Sequence, residues 1–479
     1  MTLARSDATG LGSLSPEVLS FTSSLPVDIA LFAADIVGSL AHVRMLEESG
    51  LIPSADAAAI RRGLKALYDE ALAGKLVWPQ EEDVHMSIEA ELGRRIGEAA
   101  KRLHTARSRN DQIALDARLY LREQTVMVLE RLTALLDELI ARAEGPDGKL
   151  LMPAYTHRQR AQPISVAYLL SAYAQMLARD AAQFAQVLNA LDDCPLGVGA
   201  VSGTSLPIRR ERTAEMLAFS RVTENGLDTV GDRDFALDFT YAAAKCLSHL
   251  SRISQDVVDF SSQEFGFIQL DDRISFGSSM MPQKRNPDLF ELIRGKSARG
   301  IAAHSALFTV LKGLPVGYMR DLQEDKVSYL ESAGLIVQCL EAMIHGIRGI
   351  RFAADRMSAG LAGGGTQATD LAERLVSRGV PFRDAYRAVG KLVQAARSDG
   401  KALSDVGAAE LSAAEGLVTE ADLAVLSPAK AVEAKETPGG TGPQSVAAQL
   451  EELREAVAGA RARITSTPRL AEMVAQLAS

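Results

Sequence analysis

The chain has 479 residues, 47% of them apolar, and 52 basic against 61 acidic side chains give it a net charge of −9. That length exceeds a single core and implies roughly two to four domains. The acidic balance excludes a general nucleic-acid or anionic-membrane role, so any anionic ligand must be held by a local cluster. Cys194, Cys246 and Cys339 are odd in number, far apart and without a CxxC, which points to a reduced, cytoplasmic setting. Met1–Ser13 lacks the apolar segment of a secretory signal, and no uninterrupted apolar run has the length of a bilayer span, so a soluble protein is expected.

Residues 1–26 show little periodicity and read as an extended arm. From Pro26 the pattern turns helical, with Ile29, Phe32, Ala33, Ile36, Val37 and Leu40 at spacings of three and four. A second helix is expected over 55–73. An acidic loop, Trp78 to His85, then enters a third near 87–98. After His104–Gln112, a stretch dense in basic, hydroxyl and amide groups, Leu115, Leu119, Leu129, Leu132, Leu136 and Leu139 mark a helix of about thirty residues that stops at Gly145-Pro146, far above the usual length. Similar stripes cover 163–191, 232–265, 286–312 and 322–352. Five long amphipathic helices joined by loops predict an all-α bundle, with faces wide enough for burial on two sides, as in an oligomer. The tail from Met357 has shorter helices broken at Gly363-Gly364-Gly365 and Gly439-Gly440. The expected division is an N-terminal helical domain (1–108), a central bundle (109–356) and a small helical C-terminal domain (357–479).

The unusual chemistry lies in the loops. Gly277-Ser278-Ser279-Met280-Met281-Pro282-Gln283-Lys284-Arg285-Asn286-Pro287-Asp288 places two hydroxyls and two cations before an expected helix start, with Asn286 as N-cap, Pro287 at the first position and Asp288 in the first turn. That combination makes an anion site beside a possible base. Tyr155–Pro163 surrounds His157 with Thr156, Gln159 and Gln162 and reads as a loop entering a helix. Tyr318, Gln323 and Lys326 fall around another helix start. Taken singly, these have ordinary readings: a capped helix, a structural histidine, a solvated charged face. The seven histidines include no HExxH and no pair at ligand spacing, so no metal is expected. Gly197-Val198-Gly199 follows no strand and no GxxxxGK[ST] occurs, so neither nucleotide-binding fingerprint has its context, and no cofactor is expected.

Together the stretches resemble the fumarase/aspartase superfamily of lyases, whose GSSxMPxKxNP signature matches Gly277–Pro287, and within it the argininosuccinate lyases. The narrower resemblance rests on Leu103-His104-Thr105 with Ser108–Gln112, Thr156-His157 with Arg160–Pro163, and Asp321–Lys326, and it spans about residues 20–460. One departure is plain: residues 1–20 contain nothing like the Trp-Gly-Gly-Arg-Phe segment with which that family usually begins. The resemblance implies a three-domain fold whose five-helix bundles assemble as a homotetramer with a twenty-helix core and active sites shared between subunits. It implies anti β-elimination of argininosuccinate to arginine and fumarate, with Ser278 as base and Lys284 and Asn286 on the carboxylate where charge develops. His157, oriented by Glu291 of another subunit, is implied as the assisting acid. Asn110 and Thr156 are implied at the fumarate half, and Ser108 and Arg109 of the Asn110 motif as substrate contacts. Ser24 is implied as a substrate contact, Tyr318, Gln323 and Lys326 at the arginine half, and Arg233 as a further carboxylate partner. A lyase of another N-substituted aspartate and a catalytically silent structural homologue are the alternatives, and the retained Ser278, Lys284, Asn286, His157 and Glu291 weigh against the second.

Overall fold

A computed structural model describes residues 15–479 apart from Gln80, Gly363, Gly364 and Glu415. The first fourteen residues of the expected arm and the first two glycines of the tail break therefore lie outside the described residues. From Pro16 the arm is helical rather than extended: α1 (Pro16–Thr22) and α2 (Leu25–Asp28) lead into α3 (Phe32–Glu48). Ser15 accepts a bond from the Val18 amide, and both short helices carry a proline in the first turn, where its missing N–H leaves no intrahelical bond unmade. α4 (Ser54–Leu72) and α5 (Val84–Ile96) complete an N-terminal layer, α5 being capped by Asp83 through the Met86 amide at 2.6 Å.

The body is a bundle of α6 (Arg109–Glu144), α7 (Val166–Ala190) and three later helices. At 36 residues α6 runs about 54 Å. Leu115, Leu119, Leu129, Leu132, Leu136 and Leu139 are all buried along it, as the leucine stripe predicts. Between α6 and α7, Tyr155–Pro163 is not a loop but most of a β-hairpin, β1 (Leu151–Thr156) against β2 (Gln159–Ser165). Pro153 and Pro163 disfavour helix in the residues before them, so α7 starts three residues later than expected, capped by Ser165. The connection that follows holds a short ribbon, β3 (Asp193–Cys194) with β4 (Arg221–Val222), and two short helices, α8 (Arg210–Met216) and α9 (Gly226–Thr229).

The remaining long helices are α10 (Asp234–Phe260), α11 (Asp288–Leu311) and α12 (Asp325–Arg348). β5 (Ile268–Leu270) follows α10, and a two-residue ribbon, β6 (Phe276–Gly277) against β7 (Arg285–Asn286), frames the Ser278 loop. That pairing changes the expected helix start. Asn286 is drawn into β7 opposite Phe276, and Pro287 takes the N-cap position with no side-chain cap. β8 (Ile350–Phe352) then pairs antiparallel with β5.

The tail, α13 (Ala354–Ala362) to α19 (Leu470–Ala478), serves two cores. α14 (Ala368–Ser377), α15 (Phe382–Ser398), α16 (Ala408–Leu411) and the segment up to Leu426 surround a small separate core that includes Leu371, Leu375, Leu392 and Leu403. After α17 (Pro428–Glu433), α18 (Pro443–Ser466) and α19 return to the main core through Leu450, Leu453, Val457, Met473 and Val474. Two stretches, Pro16–Glu48 and Arg320–Arg348, have the length and composition of bilayer spans, contrary to the sequence reading. Their most apolar windows are 72% and 56% buried inside the chain, as core helices are.

Candidate active site

α6 begins at a polar junction. The Ser108 amide donates to Asp111 Oδ1 at 2.9 Å, and the Ser108 hydroxyl accepts from the Asn110 amide at 3.3 Å, satisfying first-turn donors. The other Asp111 oxygen accepts from the amides of Gly197 and Gly199 at 3.0 and 2.8 Å. Both glycines have positive φ, which lets the two amides converge on one oxygen. The glycine-rich loop is thereby fixed against the helix start, and Asn110 Nδ2 adds a bond to Ala200 O at 3.1 Å.

This junction forms one wall of a cavity of about 670 Å³. Six side chains expected at the substrate line it, although they come from widely separated parts of the chain: Ser24, Arg109, Asn110, Tyr318, Gln323 and Lys326. Ser24 donates to Asp28 Oδ2 at 2.5 Å, and the other Asp28 oxygen accepts the Val84 amide at 3.0 Å. Gln323 donates to Thr22 O at 3.1 Å, so the short N-terminal helices are tied to the head of α12. Lys326 is only 2% exposed and lies 3.3 Å from Asp325. Arg233 does not reach the cavity. It is fully buried and pairs with Asp325 behind Lys326, so its expected contact with a substrate carboxylate gives way to a structural ion pair. Ser108 is spent on capping and is likewise absent from the lining.

The other expected site residues stand outside the cavity of the same chain. Thr156 and His157 are exposed at the hairpin tip, where His157 and Arg158 both have positive φ. Tyr155 anchors the hairpin among Phe260, Phe265 and Phe267, and Arg158 reaches Asp259 at 2.9 Å. Ser278 and Lys284 sit in the loop closed by β6 and β7, with Asn286 at its base. The Ser278 oxygen accepts from the amides of Met280 and Met281 at 3.3 and 3.1 Å. Glu291 is exposed in the first turn of α11, 3.7 Å from Arg294.

Residues 15–301 match the family model described as lyase, and residues 365–433 match the argininosuccinate lyase C-terminal model. The argininosuccinate lyase of Moorella thermoacetica is 42% identical over 94% of this chain and 97% of its own length, and that of Symbiobacterium thermophilum is 45% identical over 90% and 93%. The chain belongs to the argininosuccinate lyase family. Among solved structures, EDDS lyase in complex with formate superposes with a TM-score of 0.83 at 28% identity, covering 94% of this chain and 91% of that one. A class II fumarase from Schistosoma mansoni shares the fold, with a TM-score of 0.73 at 18% identity, covering 89% and 96%.

In this member of the argininosuccinate lyase family the cavity also holds residues that motif reading passed over. Asp28, Glu81, Glu82, Asp83, Glu89 and Arg320 line it. The acidic run before α5 was visible in the sequence, but nothing there tied it to residues 24, 109 or 326. Deeper still lies a buried cluster from three helices: Asp35 on α3, His85 on α5 and Asp116 on α6, with ligand-type atoms within 4.8 Å of one another. His85 Nδ1 lies 2.6 Å from Asp35 and 3.2 Å from Asp116. Burial opposes charge on the ring, but the two carboxylates outweigh it and hold His85 protonated. Burial raises Asp35, and the His85 bond with the charges of His85, Arg107 and Arg109 brings it back below the usual carboxylate range. Asp116 is pushed upward, by burial and then by the charge of Asp35. The cluster is a salt-bridged core beneath the cavity. His104, in the cavity wall, is held down to about 4 by burial and by Arg107 and Arg109, so at neutral pH it is an uncharged ring.

Proposed function

We propose that the chain catalyses the reversible anti β-elimination of argininosuccinate to arginine and fumarate, as a cytoplasmic homotetramer without cofactor. The observation that carries this reading is the single cavity shared by Ser24, Arg109, Asn110, Tyr318, Gln323 and Lys326. Its lining carries charges of both signs, as this substrate does. Arg109 and Lys326 offer cations to carboxylates, and Glu81, Glu82, Asp83 and Glu89 offer a wall of opposite sign to a guanidinium.

Elimination requires removal of a weakly acidic proton beside a carboxylate and stabilisation of the dianionic intermediate by fixed donors. Ser278 is the proposed base. A serine hydroxyl is far too weak unless its deprotonated form is stabilised, and the Met280 and Met281 amides both donate to its oxygen. Lys284 and Asn286 hold the carboxylate that gathers charge, and His157, oriented by Glu291, assists proton transfer to the leaving guanidinium. In one chain these groups stand apart from the cavity, His157, Lys284 and Glu291 exposed and Ser278 and Asn286 half-buried. The reading therefore places Thr156 and His157, and Ser278 to Glu291, over the cavities of neighbouring copies. An unpaired face of the central helices supports such an assembly: Leu292, Ile301 and Phe308 on α11 are 58%, 50% and 60% exposed, and Tyr241 on α10 is 50% exposed. Division into an N-terminal layer, the long bundle and a small C-terminal unit completes the reading. The small core of Leu371–Leu426 marks the part of the tail that stands by itself.

A lyase of another N-substituted aspartate is the second reading, and the 28% identity to EDDS lyase is its support. The 42–45% identity to argininosuccinate lyases outweighs it. The test is to add argininosuccinate to the purified, assembled protein and follow fumarate absorbance in the ultraviolet. Absence of signal refutes the proposal. Ser278→Ala is expected to keep the assembly and remove turnover, and ordinary turnover in that variant would refute the base assignment.

A further inference from the structure

Arg109 enters the cavity from the first turn of α6, and its nearest partner is Gln112, one turn further along the helix. Arg109 Nη1 donates to Gln112 Oε1 at 2.9 Å, whereas the acids on the opposite side, Asp83 and Glu89, lie at 3.5 and 4.0 Å. Gln112 is 3% exposed. A buried amide can present either its oxygen or its nitrogen to a neighbour, and only the oxygen can accept from a guanidinium. What removes the choice is Asp35, whose Oδ2 accepts from Gln112 Nε2 and from His85 Nδ1. Asp35 stays ionised in the buried cluster, and an ionised carboxylate only accepts. The Gln112 nitrogen must therefore face Asp35, and its oxygen must face Arg109.

We propose that Gln112 is a positioning residue: its amide, oriented by the buried Asp35–His85 pair, fixes the Arg109 guanidinium toward the substrate. The inference rests on Arg109 being a substrate ligand, as in the function proposed above. It assigns to the polar core under the cavity a task beyond support, because the orientation of a cavity cation is set two hydrogen bonds away, at Asp35 on α3, which His85 on α5 holds in turn.

A double-mutant cycle on the assembled protein, read as KM and kcat for argininosuccinate, tests it. Gln112→Met is expected to raise KM about tenfold, the loss of one hydrogen bond to a charged group, with kcat within about threefold of wild type. Arg109→Met is expected to raise KM further, and Gln112→Met in the Arg109→Met background is expected to add nothing. Gln112→Glu supplies the conservative control. Buried beside Asp35 it is expected to take up a proton, so that its hydroxyl donates to Asp35 and its carbonyl accepts from Arg109, keeping KM within about threefold of wild type. If the effects of Gln112→Met and Arg109→Met multiply, or if Gln112→Glu is as impaired as Gln112→Met, Gln112 supports the fold and the proposal falls. A raised KM in Arg109→Met beside a wild-type KM in Gln112→Met overturns this inference alone. A wild-type KM in Arg109→Met overturns the assignment of Arg109 and the inference with it.

Discussion

Replacing Arg233 by Met removes one side of an ion pair whose two side chains are 0% and 1% exposed. Methionine fills most of the vacated space, so the electrostatic loss dominates. Asp325 is left buried with Lys326 Nζ at 3.3 Å as its remaining cation, and the bond from Arg233 Nη1 to Asp232 O at 2.7 Å disappears. Breaking a buried pair from one side costs about 3–5 kcal/mol, and one lost backbone acceptor bond about 1 kcal/mol. Removing both partners is far milder: Arg233→Met with Asp325→Leu is expected within about 2 kcal/mol of wild type, because no unpaired charge stays behind. Urea unfolding followed by circular dichroism, at one fixed protein concentration, measures all three proteins on the same scale. A single variant within about 1 kcal/mol of wild type, or a double variant no better than the single one, would refute the reasoning. The single variant is also expected to raise KM, since Asp325 then draws Lys326 back from the cavity.

His42 is buried and held down to about 3, by burial first and then by the charge of Arg107. The unfolded chain takes up this proton near pH 6.5 while the folded one does so only near pH 3, so the stability is complete above pH 6.5 and is lost as the pH falls. At pH 4 the loss for this one group is about 3 kcal/mol. His42→Gln is expected to flatten the decline between pH 6.5 and 4, and equal slopes in the two proteins would refute the assignment. Gly148, in the turn between α6 and the hairpin, has room for no side chain, because an added Cβ would stand 1.8 Å from the Ala143 carbonyl oxygen. Gly148→Ala is therefore expected to cost about 1–3 kcal/mol and lower the thermal midpoint. Mixing inactive His157→Asn and Ser278→Ala proteins in equal amounts is expected to restore activity at about one quarter of the sites, as random reassortment of shared sites requires. No recovery in well-mixed assemblies would count against sites built from several copies.

The five long helices were legible because a leucine or alanine stripe at helical spacing has few other ways to be buried. Their ends were less so. At 159–165 and 285–286 backbone pairing with a partner strand took residues that local preferences assigned to a helix start or its approach, and no single-segment reading contains the partner. The cavity's lining residues were legible only as motifs: nothing in the spacing of Ser24, Asn110 and Lys326 brings them together, whereas the packing of α2, α6 and α12 does. Arg233, implied by resemblance as a carboxylate partner, is buried against Asp325, and nothing in its own segment signals that burial. Asp35, His85 and Asp116 gave no signal, because each stands alone on its own helix. Gln112 was visible only as the end of a motif.

The hairpin tip has a bearing on how this chain can change over generations. A two-residue turn with both residues in the left-handed region favours Asn-Gly, and His157 and Arg158 each hold that shape against a penalty of roughly 1–3 kcal/mol. The most favourable local sequence is absent at the place where the proposed mechanism puts an imidazole. His157→Asn with Arg158→Gly is thus expected to make the fold hardier and, on the proposed mechanism, to silence it. In a descendant released from catalysis, drift toward Asn-Gly at these two positions would be the earliest fossil of the lost reaction.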